Sequence, residues 1–351
     1  LVIAIDAMGG DFAPEAPLEG IRQVAVRNAD VTFKIFGNEA VLHSFFLAHP
    51  TLQERVQIIH TSEYVTNDTP AREALRGLKC SSMRLAIQEV GSGGAECVVS
   101  AGNTGAYMAL AKVILKTLPG IERPAIARAM PTQKGECVVL DLGANVEVTP
   151  FNLVEFAIMG EVFARSVLHK ENPSVGLLNV GSEELKGNSI VRQAQELIRE
   201  QNILANFYGF VEGDDIFAGT TDVVVTDGFS GNIALKTAEG CARFFATVMK
   251  QKLMQSWLSR LGTLLAFSAL REIRERFDPR NYNGAPFLGL QGIAVKSHGG
   301  TDAVGFARAI EVAIELVRGG TNEKISLGIA KMKAHTASQL VDLSMPHCSN
   351  Q

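Results

Sequence analysis

The chain has 351 residues, with 33 Lys+Arg against 37 Asp+Glu and a formal net charge of −4. Apolar residues make up 46% and charged residues 20%, which excludes disorder as the main state and allows two or three ordinary domains or one large α/β domain. The mild acidity speaks against a general nucleic-acid binder, and no run reaches the ~18 consecutive apolar residues of a spanning helix.

In chain order, six short apolar runs end in a polar, glycine-bearing cluster and lead into a helix-like stretch. Residues 1–5 run into Asp6-Ala7-Met8-Gly9-Gly10-Asp11, and 96–100 into Ala101-Gly102-Asn103-Thr104-Gly105. Residues 137–140 run into Asp141-Leu142-Gly143-Ala144-Asn145, and 175–180 into a stretch holding Gly181 and Lys186-Gly187-Asn188. Residues 222–226 meet Asp227-Gly228-Phe229-Ser230-Gly231-Asn232, and 292–295 meet Lys296-Ser297-His298-Gly299-Gly300. Near-continuous apolar strands alternating with helices predict an α/β fold with a mainly parallel sheet covered on both faces. Right-handed crossovers are expected to bring all six clusters to one edge, the carboxyl ends of the strands, where such sheets bind ligands. Turn and capping chemistry explains any single cluster. Six together favour a site.

Residues 243–280 differ. Helical spacing puts Leu253, Met254, Trp257, Leu258, Leu261, Leu264 and Leu265 within an arc of roughly 140°, with a break expected near 262–268. Eight basic residues against three acidic give this stretch +5 and the remainder −9. It reads as a helical excursion over 243–285, packed on the body or on a second copy, or as a basic-apolar tip for an acidic partner or an anionic membrane. The rest divides into a single catalytic α/β domain, 1–242 with 286–325, and an extension over 326–351 whose end, from about Met345, loses pattern. Cys80, Cys97, Cys137, Cys241 and Cys348 show no metal-ligand spacing and read as reduced thiols. Cys97 and Cys137 are expected to be buried and inert. The first residues show no charged leader, so a cytoplasmic protein is expected, with peripheral membrane contact left open.

Several chemistries are missing from the motifs. There is no G-x-S-x-G nucleophile elbow, because Asn232 stands where its second glycine would fall. There is no Gly-Lys dipeptide for a Walker loop, and Glu96 breaks a dinucleotide fingerprint begun at Gly91. No histidine pair or metal triad is visible, and neither metal nor cofactor is expected. What remains suits an anion: glycine turns at helix starts, Asn donors and a few Lys. Chemistry alone points to phosphate-group binding with acyl or phosphoryl transfer.

The clusters, together with Gly120-Ile121-Glu122-Arg123-Pro124-Ala125, Leu177-Leu178-Asn179-Val180-Gly181 and Gly209-Phe210-Val211-Glu212-Gly213, closely resemble the bacterial phosphate acyltransferases (PlsX). The match is collinear over about 2–317. It implies transfer of a fatty acyl group from acyl carrier protein to inorganic phosphate, giving acyl phosphate for phospholipid synthesis. It further implies a homodimer with a phosphotransacetylase- or isocitrate-dehydrogenase-like fold, feeding a glycerol-3-phosphate acyltransferase at the membrane. Direct attack by phosphate is expected, since no Ser or Cys stands beside a base. Lys186 is the first candidate for a charged contact to phosphate or oxyanion. Asn145 and Asn232 are candidate donors, as is Asn103, and His298 is a candidate acid for the departing thiolate. Asp6, Gly9, Gly10, Asp11, Thr104, Gly105, Asp141, Asn188, Asp227, Gly231 and Lys296 are expected around phosphate or substrate. Arg72, Arg76 and Lys79, on one side of a predicted helix, with Arg271 and Arg274, are candidate docking residues for the acidic carrier. Rival readings are an acyl-CoA-using phosphotransacetylase-like enzyme, a decarboxylating dehydrogenase, and a non-catalytic scaffold.

Overall fold

The computed structural model describes residues 1–344, and for 335–344 the backbone alone. Strand β1 (Val2–Asp6) leads through α1 (Glu15–Arg27) to β2 (Thr32–Gly37), and α2 (Glu39–Leu47) and α3 (Pro50–Gln53) lead to β3 (Val56–His60). Helices α4 (Ala71–Arg76) and α5 (Ser82–Gly91) precede β4 (Cys97–Ser100), and α6 (Thr104–Leu115) follows it. A hairpin of β5 (Ala125–Thr132) and β6 (Gly135–Leu140) comes next, then α7 (Pro150–Val167) and β7 (Val175–Leu178). They are followed by α8 (Ser189–Glu200), β8 (Phe207–Val211), α9 (Asp215–Ala218) and β9 (Val223–Val225). Helices α10 (Gly228–Met254), α11 (Trp257–Leu265) and α12 (Phe267–Arg276) are consecutive. Strands β10 (Ala285–Leu288) and β11 (Ile293–Lys296) then precede α13 (Ala303–Arg318) and α14 (Thr321–Ser344).

Among the described residues all eleven strands join one sheet in the order β3-β2-β1-β4-β11-β10-β5-β6-β9-β7-β8, so the α/β class holds and all six predicted strands are present. Val98, Val99, Val138, Val139, Val223 and Val224 are buried on successive positions, so both faces of the sheet are covered, as their unbroken apolar runs require. Helix α7 is apolar nearly all round and lies buried, with a capping box between Thr149 and Asn152 holding its start.

The common edge is corrected. Seven strand pairings are parallel, but β11–β10, β10–β5 and β5–β6 are antiparallel. Three reversals in a row leave β6, β9, β7 and β8 running opposite to β1, β4 and β11. The clusters after β1, β4 and β11 therefore share one edge, and those after β6, β7 and β9 share the opposite one.

The helical excursion begins earlier than 243, as the continuation of α10 from Gly228. It breaks at Ser256, which caps α11, and at Ala266, inside the expected interval. No residue from 241 to 282 is buried, and Arg276 ties the end of the arm to the body by donating to Thr132 O (2.7 Å) and Gln133 O (3.2 Å). Phe244, Phe245, Trp257, Leu264 and Leu265 remain exposed. Boundaries at 242 and 325 do not match element ends: the first falls inside α10 and the second inside α14, whose Ile325 and Ile329 are buried. The tail from Met345, with Cys348, lies outside the described residues. Among the described residues, no helix is long and apolar enough to cross a membrane.

Glu155 on α7 is 5% exposed and accepts the Glu122 amide on both oxygens at 3.3 Å. Burial pushes its carboxyl up to about 7, against the Glu122 and Asn152 hydrogen bonds. An unfolded Glu ionises near 4.5, so the folded state holds the extra proton between those values and stability falls as pH rises through that window. Glu155→Gln keeps an acceptor for Glu122. It is expected to raise the melting temperature at pH 8 by about 2–5 °C over wild type and to flatten the pH dependence between 5 and 7, checked by calorimetry.

Candidate active site

At the first edge Asp6 is the organiser. Its carboxylate accepts from Ser82 Oγ (2.7 Å), Ser100 Oγ (2.6 Å) and the Met8 amide (3.3 Å), and Ser100 Oγ in turn accepts from Gly102 N (3.0 Å). Burial pushes Asp6 above its usual range, opposed by those donors and by Lys296. This bonding draws the turn after β1 against the turn after β4, so closely that a Cβ on Gly9 would lie 2.6 Å from Asp6 Oδ2 and 2.7 Å from Gly102 N. Gly10 has φ +103°, and a Cβ there would press on Ala101 and on Gly299 O of the third turn. Asp11 N donates to Gly299 O (2.9 Å), and Asp11 Oδ1 accepts from Asn67 Nδ2 (2.6 Å). Thr104 and Gly105 open α6 at the surface, their amides at the positive end of the helix dipole.

Lys296 closes the cluster. It is 8% exposed, and its Nζ donates to Ala101 O (3.2 Å) and to Ser297 O. Burial lowers the ammonium to about 8, with Asp6 and Asp11 opposing. His298 reaches the surface beside it, and its Nδ1 accepts from the Gly300 amide (3.1 Å). In the neutral ring the proton is then on Nε2, pointing away from that turn. Burial first, then Lys296, Arg128 and Lys236, hold the imidazole below its usual range, with Glu239 opposing. The ring is therefore neutral near pH 7. In that form its Nε2–H is available as a hydrogen-bond donor.

At the second edge Asp141 is the organiser. It is fully buried and accepts from the amides of Ile126, Gly143, Ala144 and Asn145 and from Asn145 Nδ2, at 2.7–3.2 Å. Asn145 spends its other side-chain hydrogen on Pro124 O (2.8 Å), so it has no donor left for an oxyanion. Asp227 caps α10 by accepting Ser230 N and Oγ, both at 2.8 Å, and Gly231 packs directly on Asp141 O. Asn232 gives one side-chain hydrogen to Leu142 O (3.1 Å). Lys186 lies on the surface, paired with Glu183 at 2.7 Å, and Asn188 caps α8 by accepting Val191 N.

Thus Asp6, Gly9, Gly10, Asp11, Asn103, Thr104, Gly105, Lys296 and His298 come together in one chain, whereas Asp141, Asn145, Lys186, Asn188, Asp227, Gly231 and Asn232 stand on the other edge. Asn103 is corrected to a clamp. Its Oδ1 caps Ala106 N (3.0 Å), while its Nδ2 bonds Asn67 O (2.6 Å) and Thr69 O (3.2 Å). Lys79 is not on the helix of Arg72 and Arg76, because α4 ends at Arg76 before Gly77. Arg271 and Arg274 are exposed on α12, Arg271 paired with Glu275 at 2.7 Å. Burial pushes the Cys97 thiol up and the Cys137 thiol up to about 12, so neither is a nucleophile at neutral pH. Sequence reasoning gave no role to Ser100, although it begins the Ser100-Ala101-Gly102-Asn103-Thr104-Gly105 cluster, and it missed Asn67, Ser82 and Asn283, whose short polar side chains carry no motif of their own.

The first edge thus gathers backbone amides, a buried lysine and a histidine on an α/β scaffold, a donor set chemically suited to an anion. The fold is that of a phosphotransacetylase from Streptococcus pyogenes (TM-score 0.62, 19% identity, 91% of this chain and 94% of that one). It is also that of a branched-chain phosphotransacylase from Enterococcus faecalis (TM-score 0.55, 13% identity, 90% and 99%). A family model described as "Fatty acid synthesis protein" matches residues 1–324. A phosphate acyltransferase of Rhodospirillum rubrum is 53% identical over 333 residues, 95% of each chain, and one of Rhodospirillum centenum is 55% identical over 332 residues, 95% of this chain and 94% of the relative. The chain belongs to this phosphate acyltransferase family, and it is an enzyme that transfers acyl groups to phosphate.

Gly10→Ala would place a methyl 2.9 Å from Ala101 Cβ and 3.1 Å from Gly299 O, prising the first and third turns apart. Steady-state kinetics should show KM for phosphate raised about tenfold, the equivalent of 1.4 kcal/mol of binding, with the fold retained by circular dichroism.

Proposed function

We propose that the enzyme takes its acyl group from acyl carrier protein and delivers acyl phosphate to phospholipid synthesis, as substrate for a glycerol-3-phosphate acyltransferase at the membrane. Phosphate is held at the first edge by the Thr104 and Gly105 amides, the Gly9-Gly10 turn and the Lys296 ammonium. Its oxygen attacks the thioester carbonyl, forming the C–O bond. The oxyanion receives a hydrogen bond from His298 Nε2–H, and collapse breaks the C–S bond, releasing a thiolate that takes its proton from water. The single observation carrying this reading is the buried Lys296 ammonium seated between three glycine turns and the start of α6. Carrier docking is supported by the exposed Arg72 and Arg76, because α4 packs against α6 and so flanks the same edge.

The reversed half of the sheet favours a shared centre. The resemblance draws residues from both edges into one site and implies a homodimer, yet in one chain the two groups end strands that run in opposite directions. We therefore read the centre as composite, with Lys186 and Asn232 of one copy completing the phosphate site of the other. The exposed apolar stripe of α10–α12, continuous with the second cluster, supplies the contact.

The reaction is tested by acyl phosphate formation from long-chain acyl-acyl carrier protein and phosphate. Turnover should be at least tenfold higher than with acyl-CoA at equal concentration. Equal turnover would favour the phosphotransacetylase-like alternative, and no turnover with either donor would favour the scaffold. KM for phosphate is expected to rise above pH ~8 as Lys296 loses its proton, and this rise should vanish in Lys296→Arg, whose charge does not titrate in that range. Lys186→Ala and Lys296→Met should each be inactive alone. Their co-expressed mixture should regain about a quarter of wild-type activity, because random pairing gives each mixed dimer one intact centre. No regain would overturn the shared centre.

A further inference from the structure

Away from the phosphate turns, a chain of hydrogen bonds crosses the sheet. Glu239 on α10 accepts from Arg128 Nη1 of β5 (3.3 Å) and from Lys236 Nζ (3.2 Å). Arg128 is largely buried and donates through Nε to Tyr282 O (2.9 Å). The next residue, Asn283, is 6% exposed and uses every side-chain atom it has. Its Nδ2 donates to Ser297 Oγ (2.8 Å) and Gly305 O (2.6 Å), and its Oδ1 accepts from the His298 amide (2.9 Å). Segment 282–283 is thus gripped from one side by Arg128 and grips the 296–300 turn on the other. A buried guanidinium with a carboxylate partner is costly to desolvate and weak evidence for stability, so a use in placing something is the better account of it.

We propose that Glu239, Arg128 and Asn283 are positioning residues, a relay that fixes the 296–300 turn, and with it the Nε2–H of His298, to helix α10. The relay rests on the reading of His298 as an oxyanion donor. It works in two ways: Asn283 sets the backbone of the turn, and the Glu239–Arg128 pair sets the charge His298 meets. The groups facing His298 are Lys296 from β11, Arg128 from β5 and Lys236 and Glu239 from α10, with Asp11 across Gly300 from the first turn.

The imidazole titration of His298, assigned by difference against His298→Asn, is followed by NMR in the full-length protein. Glu239→Gln removes the facing negative charge, which should move the titration to lower pH. Arg128→Gln removes a facing positive charge and should move it to higher pH. Loosened packing would shift both variants the same way, so opposite shifts support the relay and shifts of one sign overturn it. Arg128→Lys keeps the charge and loses the fork, so it should leave the titration in place while kcat falls about tenfold and KM for phosphate changes less than threefold. An unchanged kcat there would also overturn it. His298→Ala run in parallel separates the two ideas: wild-type kcat in that variant defeats the oxyanion reading, while the direction of the NMR shifts still decides whether the relay exists.

Discussion

Three antiparallel pairings in the middle of the sheet, β11–β10, β10–β5 and β5–β6, govern everything the molecule presents to solvent. A strand-to-helix turn gathers its unpaired amides at the carboxyl end of its strand, so strand direction decides on which side each turn does its chemistry. Had the sheet been parallel throughout, six polar turns would share one rim. The reversal divides them three and three, and each half builds its own organiser: a buried carboxylate, Asp6 or Asp141, saturated with donors from neighbouring turns.

The two organisers differ in what they leave free. Asp141 is ringed by backbone amides and Asn145, all of them consumed in holding the turn. Asp6 is met by serine hydroxyls, and a lysine stands near it without a direct bond. Lys296 instead spends itself on two carbonyls, weak partners for an ammonium that an anion would displace to advantage. A lysine held by carbonyls rather than paired to a carboxylate therefore stands at the first edge, alongside the dipole end of α6.

The strands and their terminal clusters were legible because β-branched runs ending at glycine leave few alternatives. Their common side was not legible, since it depends on β10 meeting β5 across some 160 residues of chain, and a four-residue strand beginning Ala285-Pro286 has little pattern of its own. Lys296 was found because it ends an apolar run. Lys186, in a similar glycine context, instead pairs with Glu183 at the surface. The asparagines were harder: Asn103, Asn145 and Asn232 read alike in sequence, yet three-dimensional neighbours consume both donors of the first two and only one of the third. Asn283 was invisible for the same reason, although the Asn-Gly pair before an apolar run, with Gly284 at φ +96°, is the trace it leaves.

Helix α10 joins these parts as a rod of fixed pitch. Gly231 seats its first turn on Asp141 O, and Glu239 meets Arg128 eight residues later, a rise of about 12 Å and a little over two turns. Between those points length and rotation are locked together: one inserted or deleted residue would swing Glu239 by about 100° and carry the arm beyond it round by the same angle. The helix therefore behaves as a gauge block. The number of residues between Gly231 and Glu239 is fixed by the distance between those two contacts.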